Sequence, residues 1–318
     1  MPTPIILDCD PGHDDAIAIL LALASPELDL VGITTVAGNT TVDKTTVNAL
    51  RVLAVAGRPD VPVAAGADRP LVRELHVAEH IHGVSGLDGP EVPEAASEPV
   101  PGHAVEAMAG WLAAAARPVT LVPTGPLTNI ALLLERHPQV RPSIERIVLM
   151  GGSIGLGNVT PSAEFNIWVD PDAAAAVFGS GLDVTMVGLD VTHHTLLSVD
   201  DSEVLRASGS VGRFVAELTD FFRARYARIY GDPIAPIHDA AAVAHVIDPT
   251  IIKTRRLNVE VETASPLTVG RTVVDLMGVS GRSDNAWVGV TVEGRRFSEL
   301  LVDRLTGLDG HAGSASGL

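Results

Sequence analysis

The run Asp8-Cys9-Asp10-Pro11-Gly12-His13-Asp14-Asp15 puts four carboxylates into eight consecutive positions. Asp14 and Asp15 stand where a helix would begin, and an acid there caps free N–H groups and suits the positive end of the helix dipole. Asp8 and Asp10 have no such reason to be there. Clustered carboxylates repel and raise one another's pKa unless a cation or a shared proton intervenes. Ligands that are all oxygen favour Ca²⁺ or Mg²⁺ over zinc, so the run reads as a divalent-cation site. Cys9, between two of the acids, is expected to face the other side of the strand as a small apolar residue.

Other polar residues follow apolar runs at intervals: Asn39 in Ala37-Gly38-Asn39-Thr40, Thr124 in Val122-Pro123-Thr124-Gly125-Pro126, Met150 before Gly151-Gly152, then Asn158, Glu164-Phe165-Asn166 and His238-Asp239. Each has a plain structural reading when taken alone. Thr124-Gly125-Pro126 is an ordinary strand-to-helix turn, Phe165 plugs a core, and Asp239 caps a helix. The two tyrosines, Tyr226 and Tyr230, are four apart and share a helix face. His76 and His80 have the i, i+4 spacing of a transition-metal pair, although a histidine-rich loop is more often solvated.

Together these motifs resemble the nucleoside hydrolases, whose DxDxGxDD signature is read here as Asp8, Asp10, Gly12, Asp14 and Asp15. The matching motifs run in the family's order from the first strand to residue 239. The resemblance implies a Ca²⁺ ion held by Asp10, Asp15, the backbone carbonyl of Thr124 and Asp239. It implies Asp10 as the base that takes a proton from water, and His238 beside the departing base as its acid. Asp14, Asn39, Asn158, Glu164 and Asn166 would bind ribose hydroxyls, with Met150 and Phe165 also against the substrate. His82, Tyr226 and Tyr230 would line the nucleobase pocket. Hydrolysis of an N-glycosidic bond passes through an oxocarbenium-like sugar, so it needs an activated water, a grip on the ribose and help for the leaving base. The motifs offer candidates for all three. The implied activity is release of free base and ribose in nucleoside salvage, from purine or pyrimidine ribonucleosides or from pyrimidines alone. The resemblance also implies a homo-oligomer, a tetramer or a dimer.

Two other classes compete. A phosphotransferase of the haloacid-dehalogenase type also uses a strand-end DxD, but Asp10 is followed by Pro11-Gly12 and no downstream Lys with a paired DD is evident. A calcium-stabilised nucleoside-binding protein would not need a water-activating base.

These residues must be held by an α/β scaffold. Apolar runs at 4–8, 30–37, 119–123, 146–150 and 182–187 read as strands, with helical patterns at 42–56, 103–116, 127–137 and 171–178. A further helix follows the first acidic turn, where Ile17, Leu20, Leu21 and Ala24 form an apolar stripe. The alternation predicts a single α/β domain over 1–307. Its core is a mostly parallel, Rossmann-like sheet flanked by helices, with the site at the C-terminal ends of the strands. The β-branched segments at 257–262, 272–276 and 286–292 could extend that sheet or form a small one of their own. Long loops at 68–102 and 151–169 are expected to be functional, and the Gly/Ser/Ala-rich 308–318 is expected to be a disordered tail.

Composition narrows the partners. With 22 basic and 39 acidic residues, a net charge of −17 disfavours nucleic acid and anionic lipid surfaces. The single cysteine excludes an internal disulfide framework and suits a reducing cytoplasm. No basic leader and no bilayer-length apolar run is evident.

Overall fold

The computed structural model describes residues 1–312, except the side chains of His80, Tyr230 and residues 309–312. β1 (Thr3–Cys9) is apolar on both faces: Ile5, Leu7 and Cys9 join one hydrophobic layer and Ile6 the other. Such a strand is stable only in mid-sheet with helices on each side. It pairs in parallel with β2 (Leu28–Thr35) and with β4 (Val119–Pro123). Among the described residues the remaining strands are β3 (Val63–Ala65), β5 (Ile144–Met150), β6 (Val184–Val187), β7 (Ile252–Leu257), the short pair β8 (Val259–Val261) and β9 (Thr272–Val274), and β10 (Ala286–Val292). The main sheet runs β3-β2-β1-β4-β5-β6-β10-β7, parallel except for β7 against β10.

The helices are α1 (His13–Ala24), α2 (Val42–Val55), α3 (Glu79–His82), α4 (Ala104–Ala114), α5 (Thr128–Arg136), α6 (Phe165–Val169), α7 (Pro171–Phe178), α8 (Leu189–Thr192), α9 (Val199–Ser208), α10 (Ser210–Tyr230), α11 (His238–Ile247) and α12 (Gly294–Ala312). Core residues of α1, α2 and α9–α12 cover one face of the sheet; those of α4–α7 cover the other. The chain leaves β1 toward β2 on one side and returns to β4 on the other. The crevice at the strand ends between β1 and β4 is therefore the topological switch point, where open α/β sheets bind ligands.

The single-domain, mostly parallel architecture agrees with the reading from sequence, with three differences in detail. First, α1 is buried all round from His13 to Ala22, not along one stripe, because α2, α11 and α12 pack over the side away from the sheet. Second, the C-terminal segments take both options: β10 joins the main sheet beside β6, while β8 and β9 form a separate antiparallel pair. Third, β7 escaped the strand reading except at Leu257, because Lys253, Arg255 and Arg256 give it an edge-strand composition. The segment expected to be a tail begins inside α12, and residues 313–318 lie outside the described residues. No helix among the described residues is long and apolar enough to cross a membrane.

Candidate active site

Several of the polar residues singled out from the sequence sit just beyond a strand end or at a helix start, among them Asp10, Asp14, Asp15, Thr124, Glu164 and Asp239. The floor comes from the turn between β1 and α1. Asp10 accepts the Asn39 N–H at Oδ2, 2.6 Å away, while its Oδ1 is buried with no hydrogen-bond partner. Asp15 accepts the Gly12 N–H at 3.0 Å and the Asn39 amide at 3.1 Å on Oδ2, and the Thr124 hydroxyl at 2.9 Å on Oδ1. α11 delivers Asp239 to the same place. Carboxylate oxygens of Asp14, Asp15 and Asp239 lie within 4.8 Å of one another. Burial, then Asp15, pushes Asp14 up to about 7, and the same two causes carry Asp10 well above the carboxylate range. Asp239 is raised by burial and then by Asp14, Asp15 and Asp10.

Asp8 does not join this floor. Its Oδ1 accepts the Thr34 hydroxyl at 2.7 Å and the Asn129 amide at 2.8 Å, and burial raises it to about 7. Asn129 also bonds Thr35 O and the Ala67 N–H, so Asp8 ties together the ends of β1 and β2, the turn after β3, and the start of α5. Cys9 faces the opposite layer, as expected.

Above the floor opens a cleft whose empty space, the solvent of its mouth included, is about 720 Å³. One wall belongs to the loop 151–163 and α6. Asn166 spends its amide N–H groups on Thr124 O at 2.7 Å and Met150 O at 3.2 Å, leaving its carbonyl oxygen for a ligand hydroxyl. Asn158 spends its oxygen on the Phe165 N–H at 2.9 Å, leaving its N–H₂ to donate. Glu164 caps α6, taking N–H bonds from Gly152, Asn166 and Ile167 at 2.9–3.2 Å, and burial lifts its carboxyl to about 7.

The opposite wall is aromatic. The His82 ring lies 6.0 Å from Phe222 with the planes 24° apart, and Phe222 lies 5.8 Å from Tyr226. His13 stacks behind His82 at 5.3 Å, and its Nε2 is 2.8 Å from Asp88 O. At the remaining corner, His238 Nδ1 is 2.7 Å from the Thr192 hydroxyl. Burial, then His193, lowers His238 to about 3, which favours a neutral imidazole at neutral pH. Among the described residues the Thr192 hydroxyl has no other hydrogen bond. Donation to Nδ1 leaves the ring proton on Nε2, an assignment made from the bonding pattern.

Twelve of the residues expected at the site thus line one cleft: Asp14, Asn39, His82, Thr124, Met150, Asn158, Glu164, Phe165, Asn166, Tyr226, His238 and Asp239. Asp10 and Asp15 lie in the floor beneath. The Tyr230 side chain is outside the described residues. Phe222 was missed, although the i−4 rule that paired the tyrosines reaches it from Tyr226. Ile81 and Val159, which also line the cleft, carried no signal. His76 sets its ring edge-on against Trp168 at 5.0 Å, and the His80 side chain is not described.

The floor fits a hard divalent cation: buried carboxylates crowded within 4.8 Å of one another and an Asp10 oxygen without a hydrogen bond are what such an ion would satisfy. Two glycines let the backbone close on Asp10. A Cβ on Gly38 would stand 2.1 Å from Asp10 Oδ2, and one on Gly125 2.6 Å from Oδ1. Gly38→Ala is therefore expected to destabilise the fold by about 1–3 kcal/mol and to weaken cation binding at least tenfold, by displacing Asp10. Denaturant melts and calorimetric titration with Ca²⁺ check this; unchanged affinity would show that Asp10 does not depend on that close approach.

The family model described as inosine-uridine preferring nucleoside hydrolase matches residues 5–299. The chain is 53% identical over 307 residues to a protein of Escherichia coli O139:H28 (strain E24377A / ETEC) named pyrimidine-specific ribonucleoside hydrolase RihA, covering 96% of this chain and 99% of that one. It is 52% identical to a protein of the same name from Salmonella schwarzengrund (strain CVM19633), with the same coverage. Among solved structures it resembles a purine-preferring ribonucleoside hydrolase from Gardnerella vaginalis, with a TM-score of 0.90 and 36% identity over 96% of this chain and 99% of that one.

Proposed function

Since the chain belongs to the inosine-uridine preferring nucleoside hydrolase family and is an N-glycosidase of that kind, we propose that it uses Ca²⁺ to hydrolyse pyrimidine ribonucleosides to free base and ribose, in cytoplasmic nucleoside salvage. The observation that carries the catalytic reading is the buried floor of Asp10, Asp14, Asp15 and Asp239 beneath a cleft whose free groups are amide and carboxyl functions. The pyrimidine preference rests on the relatives at 52–53% identity and their printed names. The lone cysteine, buried and free, suits a reducing compartment. The homo-oligomer implied by the resemblance remains part of the proposal, to be read from the mass in solution.

A cation held by Asp10, Asp15, the Thr124 carbonyl and Asp239 would supply Lewis acidity, making a water easier to deprotonate and anchoring the ribose diol. The residues divide the remaining work. Asp10, with one carboxylate oxygen free of hydrogen bonds, takes the water proton. The water oxygen attacks the anomeric carbon as the bond to the base breaks. Asp14 and the Asn166 carbonyl accept from ribose hydroxyls and the Asn158 amide donates, fixing the sugar for attack. His82, Phe222 and Tyr226 stack against the base. His238 offers its Nε2–H to the departing base as a neutral donor.

Among the described residues no Lys or Arg lines the cleft, so a phosphate would have no positively charged partner there besides the cation, which counts against the phosphotransferase reading. A panel of uridine, cytidine, inosine, adenosine and guanosine, assayed for ribose release, tests the proposal. Uridine and cytidine are expected to lead the purines at least tenfold in kcat/KM, the scale on which pocket contacts discriminate. Purine-first turnover would overturn the base preference, and no release from any of the five would overturn the catalytic reading.

A further inference from the structure

The wall that carries Asn158 is a glycine-rich stretch without regular structure from Gly151 to Ala163. Such a segment has no helix or sheet ladder of its own, so its position must come from side chains elsewhere. Two charged residues that do not line the cleft provide it. Asp190, in α8, accepts the Ile154 N–H on Oδ2 at 2.5 Å and the Gly155 N–H on Oδ1 at 3.1 Å. Arg271, immediately before β9, donates from Nη2 to Ile154 O at 3.0 Å, and from Nη1 to Gly155 O at 2.8 Å and Ser162 O at 3.3 Å. Ile154 and Gly155 are therefore held by their N–H groups from one side chain and by their carbonyls from another.

The choice of partners is informative. In a chain with 39 acidic residues, Arg271 makes no ion pair among the described residues and spends its guanidinium on three carbonyls of one loop. Asp190 likewise bonds backbone and no cation. Next to Arg271, Thr272 accepts the Ser153 N–H at 2.8 Å and donates to Ser153 O at 2.7 Å, extending the hold by one residue. The loop closes on itself where Asn158 N donates to Ala163 O at 3.1 Å, directly beyond Ser162. A shift at residues 154–155 or 162 is thus passed to Asn158 through a short, hydrogen-bonded turn.

We infer that Asp190 and Arg271 act as one clamp, positioning residues that set where Asn158 meets the ribose. The inference rests on the ribose-binding role proposed above for that loop. It assigns the β8–β9 pair a purpose in the reaction: β9 mounts the cationic half of the clamp on the sheet-side scaffold.

In the full chain loaded with Ca²⁺, Arg271→Ala is expected to lower kcat/KM for uridine about 100-fold, the cost of a small misplacement of a substrate-holding group. Millimolar guanidinium should recover a large part of the loss, because the three carbonyls stay available to bind it and be drawn back together. Arg271→Lys, whose single ammonium reaches fewer carbonyls, should fall between. Since the two halves hold the same residues, adding Asp190→Asn to Arg271→Ala should cost far less than the product of the single losses. Parent-level kcat/KM in Arg271→Ala, a loss that guanidinium leaves untouched, or fully multiplicative losses would each overturn the clamp. Uridine turnover by the unaltered protein tests the underlying activity separately. If that is absent, calorimetric affinity for ribose takes its place as the readout: weaker binding by Arg271→Ala that guanidinium restores supports the clamp, and unchanged binding overturns it.

Discussion

Asp10→Ala is expected to lower ribose release about 10⁴-fold, the upper range for loss of a general base, because the same residue also serves the cation. Two consequences can be separated. Asp10 Oδ2 braces the Asn39 N–H, and Oδ1 is the buried oxygen without a partner. Asp10→Asn keeps an oxygen for Asn39 but puts an uncharged amide into the floor. Its Ca²⁺ affinity should fall by 10–100-fold, as when a metal's supporting groups are lost. At saturating Ca²⁺ a deficit in kcat of about 10²–10⁴-fold should remain if Asp10 takes the proton of the attacking water. Recovery of parent kcat on saturation would leave Asp10 a ligand and remove it as the base.

Chelation is the second large effect, and its pH dependence follows from the floor. Asp14 is raised to about 7, and Asp10 and Asp239 are raised well above the carboxylate range. In the unfolded chain these groups titrate near 4. Between those limits the folded, cation-free protein binds more protons than the unfolded chain, so its stability falls as pH rises from about 5 to 8. A bound cation replaces those protons. Chelated protein is therefore expected to show no ribose release and a Tm that drops more steeply across that interval than that of protein with excess Ca²⁺, which keeps only the fall due to Asp8 and Glu164. At a hundredfold excess over Kd the ion should contribute about 2.7 kcal/mol. Calorimetry in buffers of different ionisation enthalpy should register protons released on binding, with affinity rising as pH rises. A Tm indifferent to chelation at every pH would show that the acids do not hold an ion.

What could be read beforehand was local. The β1–α1 turn compresses its four acids into a few residues, and Asn39 and Thr124 follow, and Met150 ends, runs rich in apolar residues, so composition alone locates them near strand ends. What could not be read depends on distant pairing. β7 looks polar because its partner β10 covers only one side of it, with Arg256 set 5.7 Å over Trp287. The full burial of α1 depends on α11 and α12, more than two hundred residues later in the chain. Asp190 and Arg271 meet the Asn158 loop across more than thirty and one hundred positions, with no spacing rule to connect them. His238 lines the cleft, but its protonation depends on burial and on His193, and neither is a property of its own sequence neighbourhood.

The aromatic wall is mounted largely on other elements than the floor, and meets it where His13 of α1 stacks behind His82. His82 ends α3, and Phe222 and Tyr226 occupy α10, while the acids descend from β1, α1 and α11. Substitutions along one stripe of α10 can therefore retune which base is accepted and leave the bond-breaking apparatus as it is. In evolutionary terms the scaffold separates the invariant half of its substrate from the variable half. Paralogues could diverge in diet by exchanging a few side chains, with the strand-end chemistry inherited intact.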